Sequence, residues 1–99
     1  MARFNELDPV LHSQLRLAVV SILMNAEVAE FTYIREQTGA TAGNLSIQIT
    51  KLKEAGYIEV EKKFRNNYPL TMCRITMLGR NRFEEYIKTL EQYIKPTPQ

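Results

Sequence analysis

Along the first third of the chain, Leu11, Leu15, Ala18, Val19, Ile22 and Leu23 recur at spacings of three and four, one broad apolar stripe that predicts an amphipathic helix. Asp8-Pro9 is its start, because Asp can cap free N–H groups and Pro suits the first helical position. The helix should run to about Asn25, and Glu27 to Glu30 reads as a polar turn. A short second helix is expected over residues 32–38, stopped by Gly39, which can take the left-handed conformation at a helix end. Thr41 is a suitable N-cap for a third helix, with Leu45, Ile49 and Leu52 as its buried stripe and Gly56 ending it after Ala55. Helix, four-residue turn containing Gly39, helix is the spacing of a helix-turn-helix.

The period then changes from 3.6 to 2. In YIEVEKKF, residues 57–64, Ile58 and Val60 alternate with Tyr57, Glu59 and Glu61, which predicts a strand. Arg65-Asn66-Asn67-Tyr68 is the turn, since Asn tolerates the positive φ of tight hairpins. Pro69 opens the returning strand, which runs from Leu70 to Ile75 with Thr71, Cys73 and Ile75 on one face. Thr76 caps a last long helix, about 77–94, striped by Phe83, Tyr86, Ile87, Leu90, Tyr93 and Ile94. The tail, residues 95–99, carries two prolines and is expected to be loose. The expected class is mainly α with a small β-hairpin: a winged helix-turn-helix in one domain, with a core over about 9–76.

Composition narrows the function classes. The apolar share of 44% and charged share of 24% are those of an ordinary globular chain. The single cysteine, Cys73, excludes an internal disulfide framework and reads as a small hydrophobe in the sheet. No apolar run is long enough to span a membrane, and MARFNELDP is not a secretory signal, so a cytoplasmic protein is expected. His12, the one histidine, has no Ser or Cys nucleophile beside it, and adjacent Glu84 and Glu85 diverge on a helix. No catalytic constellation is present, which argues against an enzyme. The net charge of +2 hides an asymmetry: residues 41–82 hold 8 basic and 3 acidic groups, +5, against 5 and 8, −3, elsewhere. A basic region points to an anionic partner.

Three runs, LHSQLRLAVVSILM (11–24), FTYIREQTGATAGNLSIQITKLKEAGYIEVEKKF (31–64) and CRITMLGRNRFEEY (73–86), together resemble the MarR/ArsR-type winged-helix transcriptional regulators, and most closely the short, stand-alone members. Leu52, Ala55, Gly56, Tyr57 and Ile58 match the "L..LE.AGYI" signature at the end of the recognition helix. Arg74, Ile75, Thr76, Gly79 and Arg80 match the "ITM.GR" opening of the last helix. The order and spacing of the motifs cover roughly residues 7–90. The resemblance implies a regulator that binds double-stranded DNA; the apolar stripe of the last helix points to a homodimer on a palindromic site, and no residue calls for a cofactor. The cysteine pair and the histidine–acid cluster of the metal sensors are missing. A gap between dimer helices and core leaves room for a small-molecule effector, which no residue indicates.

In a helix-turn-helix the N-terminal half of the third helix enters the major groove. Its outward face here is Thr41, Gly43, Asn44, Ser46, Ile47, Gln48 and Lys51. Asn and Gln can pair with adenine in the bidentate way, Ser and Thr with several base edges, and an exposed apolar group can meet the thymine methyl. Gly43 lets the helix start approach the DNA backbone closely. No acid occurs in the seventeen residues between Glu36 and Glu54, which suits a surface facing phosphates. Lys62, Lys63, Arg65, Asn66 and Asn67 give the wing a basic tip able to follow the backbone or reach the minor groove. Phe83, Tyr86, Ile87, Leu90, Tyr93 and Ile94 form the candidate dimer stripe, and the same stripe is expected in part to pack back on Leu11, Leu15 and Val19 of its own chain. A winged helix used for protein–protein contact is the competing reading, and the +5 of residues 41–82 weighs against it.

Overall fold

The computed structural model describes residues 4–95. The order of elements is α1 (Gln14–Ala26), β1 (Val28–Glu30), α2 (Phe31–Thr38), α3 (Ala42–Glu54), β2 (Ile58–Arg65), β3 (Tyr68–Ile75) and α4 (Met77–Ile94). The three strands form one antiparallel sheet in the order β1-β3-β2. The expected winged helix-turn-helix is the observed fold.

Leu11, Val19, Val20, Leu23, Ile34, Leu45, Leu52 and Cys73 are fully buried and join the apolar faces of α1, α2, α3 and the sheet into one core. The turn between α2 and α3 is residues 39–41, one shorter than expected, and Gly39 adopts φ 71° there. The Thr41 side chain caps α3 by accepting from Asn44 N at 3.2 Å.

Two expectations need correction. The first helix does not start at Asp8-Pro9. Asp8 caps a separate turn instead, with Oδ1 accepting from Val10 N at 2.8 Å and its carbonyl from His12 N at 2.8 Å. Tertiary partners hold this turn apart from α1: Tyr57 donates its hydroxyl to Asp8 Oδ2, and Arg16 donates to Val10 O. The second correction is at residues 28–30, which form β1 and not a polar turn. Ala29 sits opposite Cys73 and both are buried, so burial outweighs the polarity of Glu27 and Glu30. Three residues are too few for a period of 2 to show.

The wing turn is tighter than expected. Only Asn66 and Asn67 lie outside the ladder, at φ 49° and 67°, the pair of positive angles that a two-residue hairpin requires. Pro69 lies inside β3, opposite Phe64. β1 pairs with β3 only between Met72 and Arg74, so the missing N–H of Pro69 faces an open edge.

α4 has the expected bounds, with Thr76 Oγ1 accepting from Gly79 N at 3.0 Å as its cap. Thr76 also donates its backbone N–H to Tyr57 O at 3.1 Å, and its hydroxyl lies 2.7 Å from Gly56 O and 3.0 Å from Tyr57 O. The two family-like signatures, AGYI and ITMLG, therefore clasp one another. α4 then runs out beyond the core, and the molecule measures 61 by 25 by 21 Å. Of the tail, residues 96–99 lie outside the described residues.

Candidate nucleic-acid interface

Burial of Leu45, Ile49 and Leu52 fixes the rotation of α3, and the opposite face carries Gly43, Asn44, Ser46, Ile47 and Lys51, all exposed. Ile47 keeps 55% of its surface in contact with solvent. The outward face is thus placed as the sequence suggests. Thr41 is partly committed, since its hydroxyl oxygen caps the helix. Gln48 is half-buried: its Oε1 accepts from Arg16 and its Nε2 donates to Asn44 Oδ1 at 3.1 Å.

The wing residues Lys62, Lys63, Arg65, Asn66 and Asn67 are exposed. Two of the three cations carry intramolecular partners: Lys63 lies 3.2 Å from Glu61, and Arg65 lies 2.9 Å from Glu30. Both are surface pairs of the kind that exchange readily for other anions. A cleft of about 330 Å³ separates the wing from α3, lined in part by Ser46, Thr50, Lys53, Lys62 and Thr71. Lys53 and Lys62 both line this cleft, together with the apolar side chains of Phe31, Ile49 and Val60.

The basic region is less unified in space than in sequence. Lys51, Lys53, Lys62, Lys63 and Arg65 belong to α3 and the wing. Arg82 instead lines a small cavity of about 180 Å³ beside Glu6, Asp8 and Glu85, and Arg74 stands on the solvent face of the sheet opposite Glu59.

Three side chains of this surface lay outside the sequence-based candidates. Arg16 comes from α1 and touches α3 only through the fold. Lys53 lines the cleft. Phe64 flanks the Asn66-Asn67 turn, as does the expected wing residue Tyr68, and the two are 75% and 73% exposed. The signal for Phe64 was available, since an aromatic residue beside a hairpin turn has no core to enter.

The expected dimer stripe splits in two. Tyr86 is only 4% exposed and belongs to its own chain's core, with its hydroxyl 3.1 Å from His12 Nδ1. Phe83 and Leu90 also pack against that core. Ile87, Tyr93 and Ile94 remain exposed. Tyr93 is strapped from the other end of the chain: its hydroxyl donates to Asn5 O at 2.7 Å, and its ring lies 4.9 Å from that of Phe4. Among the described residues no helix is long and apolar enough to cross a membrane, and no group of three His, Cys, Asp or Glu converges as metal ligands would.

Comparison with known proteins agrees with this geometry. An uncharacterized protein of Methanocaldococcus jannaschii is 33% identical over 86 residues, which are 87% of this chain and 94% of that protein. The structure of a transcriptional regulator homologue from Pyrococcus horikoshii superposes with a TM-score of 0.81 at 26% identity, over 86% of this chain and 84% of that one. The transcriptional regulator BldR from Sulfolobus solfataricus gives a TM-score of 0.70 at 17% identity over 83% of this chain, and shares the fold. This chain spans 58% of that one. The sequence profile of the winged helix DNA-binding domain family, a family of regulators and not of enzymes, matches residues 15–94. The chain is a member of that winged helix DNA-binding domain family.

Proposed function

We propose that this protein is a sequence-specific, double-stranded DNA-binding regulator of transcription, working in the cytoplasm as one domain. The observation that carries the reading is the outward face of α3. It exposes an isoleucine among Asn44, Ser46 and Lys51, with no acid before Glu54, beside a wing bearing Lys62, Lys63 and Arg65. Such a surface is poorly suited to plain solvent and well suited to a major groove flanked by phosphates. α3 enters the major groove, and the wing follows the backbone or the adjacent minor groove. Ile87, Tyr93 and Ile94 of α4 meet their equivalents in a second copy, which places two α3 helices about one turn, roughly 34 Å, apart on a palindrome. Membership of a DNA-binding family supports the reading.

The test is fluorescence anisotropy on a random duplex at low and high salt. The expected result is binding whose logarithm falls linearly with the logarithm of salt concentration. Absence of salt-sensitive binding would favour the protein-contact reading of the same fold.

A further inference from the structure

Arg16 stands on α1, outside the helix-turn-helix, yet its guanidinium reaches the reading helix. Nε donates to Val10 O at 2.7 Å, one terminal nitrogen lies 3.5 Å from Pro9 O, and the other donates to Gln48 Oε1. Gln48 then donates through Nε2 to Asn44 Oδ1 at 3.1 Å, one helical turn back along α3. The direction of this relay is chemically forced. A guanidinium has five N–H donors and no acceptor, so only the oxygen of Gln48 can face it. That turns the Gln48 NH₂ towards Asn44, where it meets an oxygen. The NH₂ of Asn44 is then the corner left pointing away from Gln48. A side-chain amide on a surface can normally turn over and exchange donor for acceptor. Here one cation prevents that at two successive positions.

We propose that Arg16 is a positioning residue that fixes the hydrogen-bond polarity of the DNA-facing surface, so that Asn44 and Gln48 offer N–H donors outward and select major-groove acceptors. This rests on the DNA-binding reading above. An Asn or Gln with both corners free pairs with adenine, accepting from N6 and donating to N7. In this protein the oxygen corner of each amide is already engaged inside the chain. The base edge that offers two adjacent acceptors is guanine, through N7 and O6. The relay therefore shifts the preferred partner from adenine to guanine, although the reading residues are the ones that usually read adenine.

The experiment compares sites selected from a random-duplex pool by the wild type, Arg16→Lys, Arg16→Met and Gln48→Glu. Side-chain amide NMR of the DNA-free proteins runs alongside. The wild type is expected to prefer guanine at one position per half-site by about tenfold. Arg16→Lys, also donor-only and of equal charge, keeps that preference, and Arg16→Met brings it close to parity. Gln48→Glu has only acceptors to offer, so Asn44 turns over and the preference moves to adenine or cytosine. Without DNA, the Asn44 NH₂ resonances shift in Arg16→Met although Arg16 does not touch Asn44, and return towards wild type in Arg16→Lys. Unmoved Asn44 resonances overturn the proposal. So does an unchanged base preference in both Arg16→Met and Gln48→Glu. If the wild type binds no duplex at all, the DNA-binding reading itself falls, and the amide resonances alone decide whether the relay exists.

Discussion

A Cβ on Gly79 would collide with the carbonyl oxygen of Tyr57. Helix α4 can seat its first turn on the connection between α3 and β2 only because residue 79 has no side chain. Gly79→Ala gains up to about 1 kcal/mol of helix propensity but must push backbone against backbone. A net loss of about 2 kcal/mol is expected, read as a lower urea midpoint. An unchanged midpoint would mean that the clasp yields easily.

Gly43 is the opposite case. A Cβ there meets nothing within 4 Å, so the fold does not require this glycine. Gly43→Ala should raise stability by about 0.5–1 kcal/mol. The same change should weaken DNA binding several-fold if the α3 start lies against the backbone. Ile47→Ala should leave stability within about 0.5 kcal/mol, as for most exposed positions, and weaken binding at particular A·T pairs. Footprint and affinity equal to wild type would remove Ile47 from the interface.

On the proposed reading, Lys63 and Arg65 would exchange their partners Glu61 and Glu30 for phosphates. Neutralising both should lower affinity on every sequence and flatten the salt slope by roughly two units. Glu30→Gln, which releases Arg65 in advance, should tighten binding. A slope unaltered by the double change would contradict a phosphate role for the wing.

Burial and the Asp8 carboxylate hold the Tyr57 hydroxyl protonated up to about 12, against an ordinary value of 10.0. The fold keeps the neutral form, so this contribution is whole below pH 10 and is lost as the pH rises from 10 to 12. The loss is of the order of 2 kcal/mol. Urea unfolding at pH 9 and pH 11 should show part of it, together with a loss from Cys73, whose burial pushes its thiol from 9.0 up to about 11, so Tyr57→Phe should flatten the profile and leave the Cys73 share. Equal pH dependence in both proteins would place the titrating group elsewhere.

Ile87→Glu combined with Ile94→Glu should abolish self-association while leaving the core intact, since both side chains are exposed in the single chain. Sedimentation velocity and far-UV circular dichroism check the two halves. A wild type that sediments as a monomer at high concentration would remove α4 as a dimer element.

The sequence made α3, α4 and the wing legible because each has a long period or a strong cap: Leu45, Ile49 and Leu52, or Thr41 and Thr76. It hid what depends on contacts between distant segments. β1 is visible only once Ala29 is set against Cys73. The Asp8 turn is separated from α1 by Tyr57, 49 positions away. The α3 face followed from periodicity alone, whereas Arg16 joins it through a contact spanning 32 positions. The division of the α4 stripe was not legible, because a regular apolar spacing cannot tell Tyr86, packed inward, from Ile87, facing out.

The register of β1 carries a mechanical consequence for the wing. β1 stops at the pairing of Glu30 with Met72, so β2 and β3 continue past it as a ribbon with neighbours on one side only. Residues 62–71 form a cantilever rooted at Met72, and a two-stranded ribbon is marginally stable alone. Among the described residues, Arg65 ties it back to Glu30. On the proposed reading, the guanidinium that would meet a phosphate is the one tied to Glu30, so the ribbon would lose that tie as the wing met a groove.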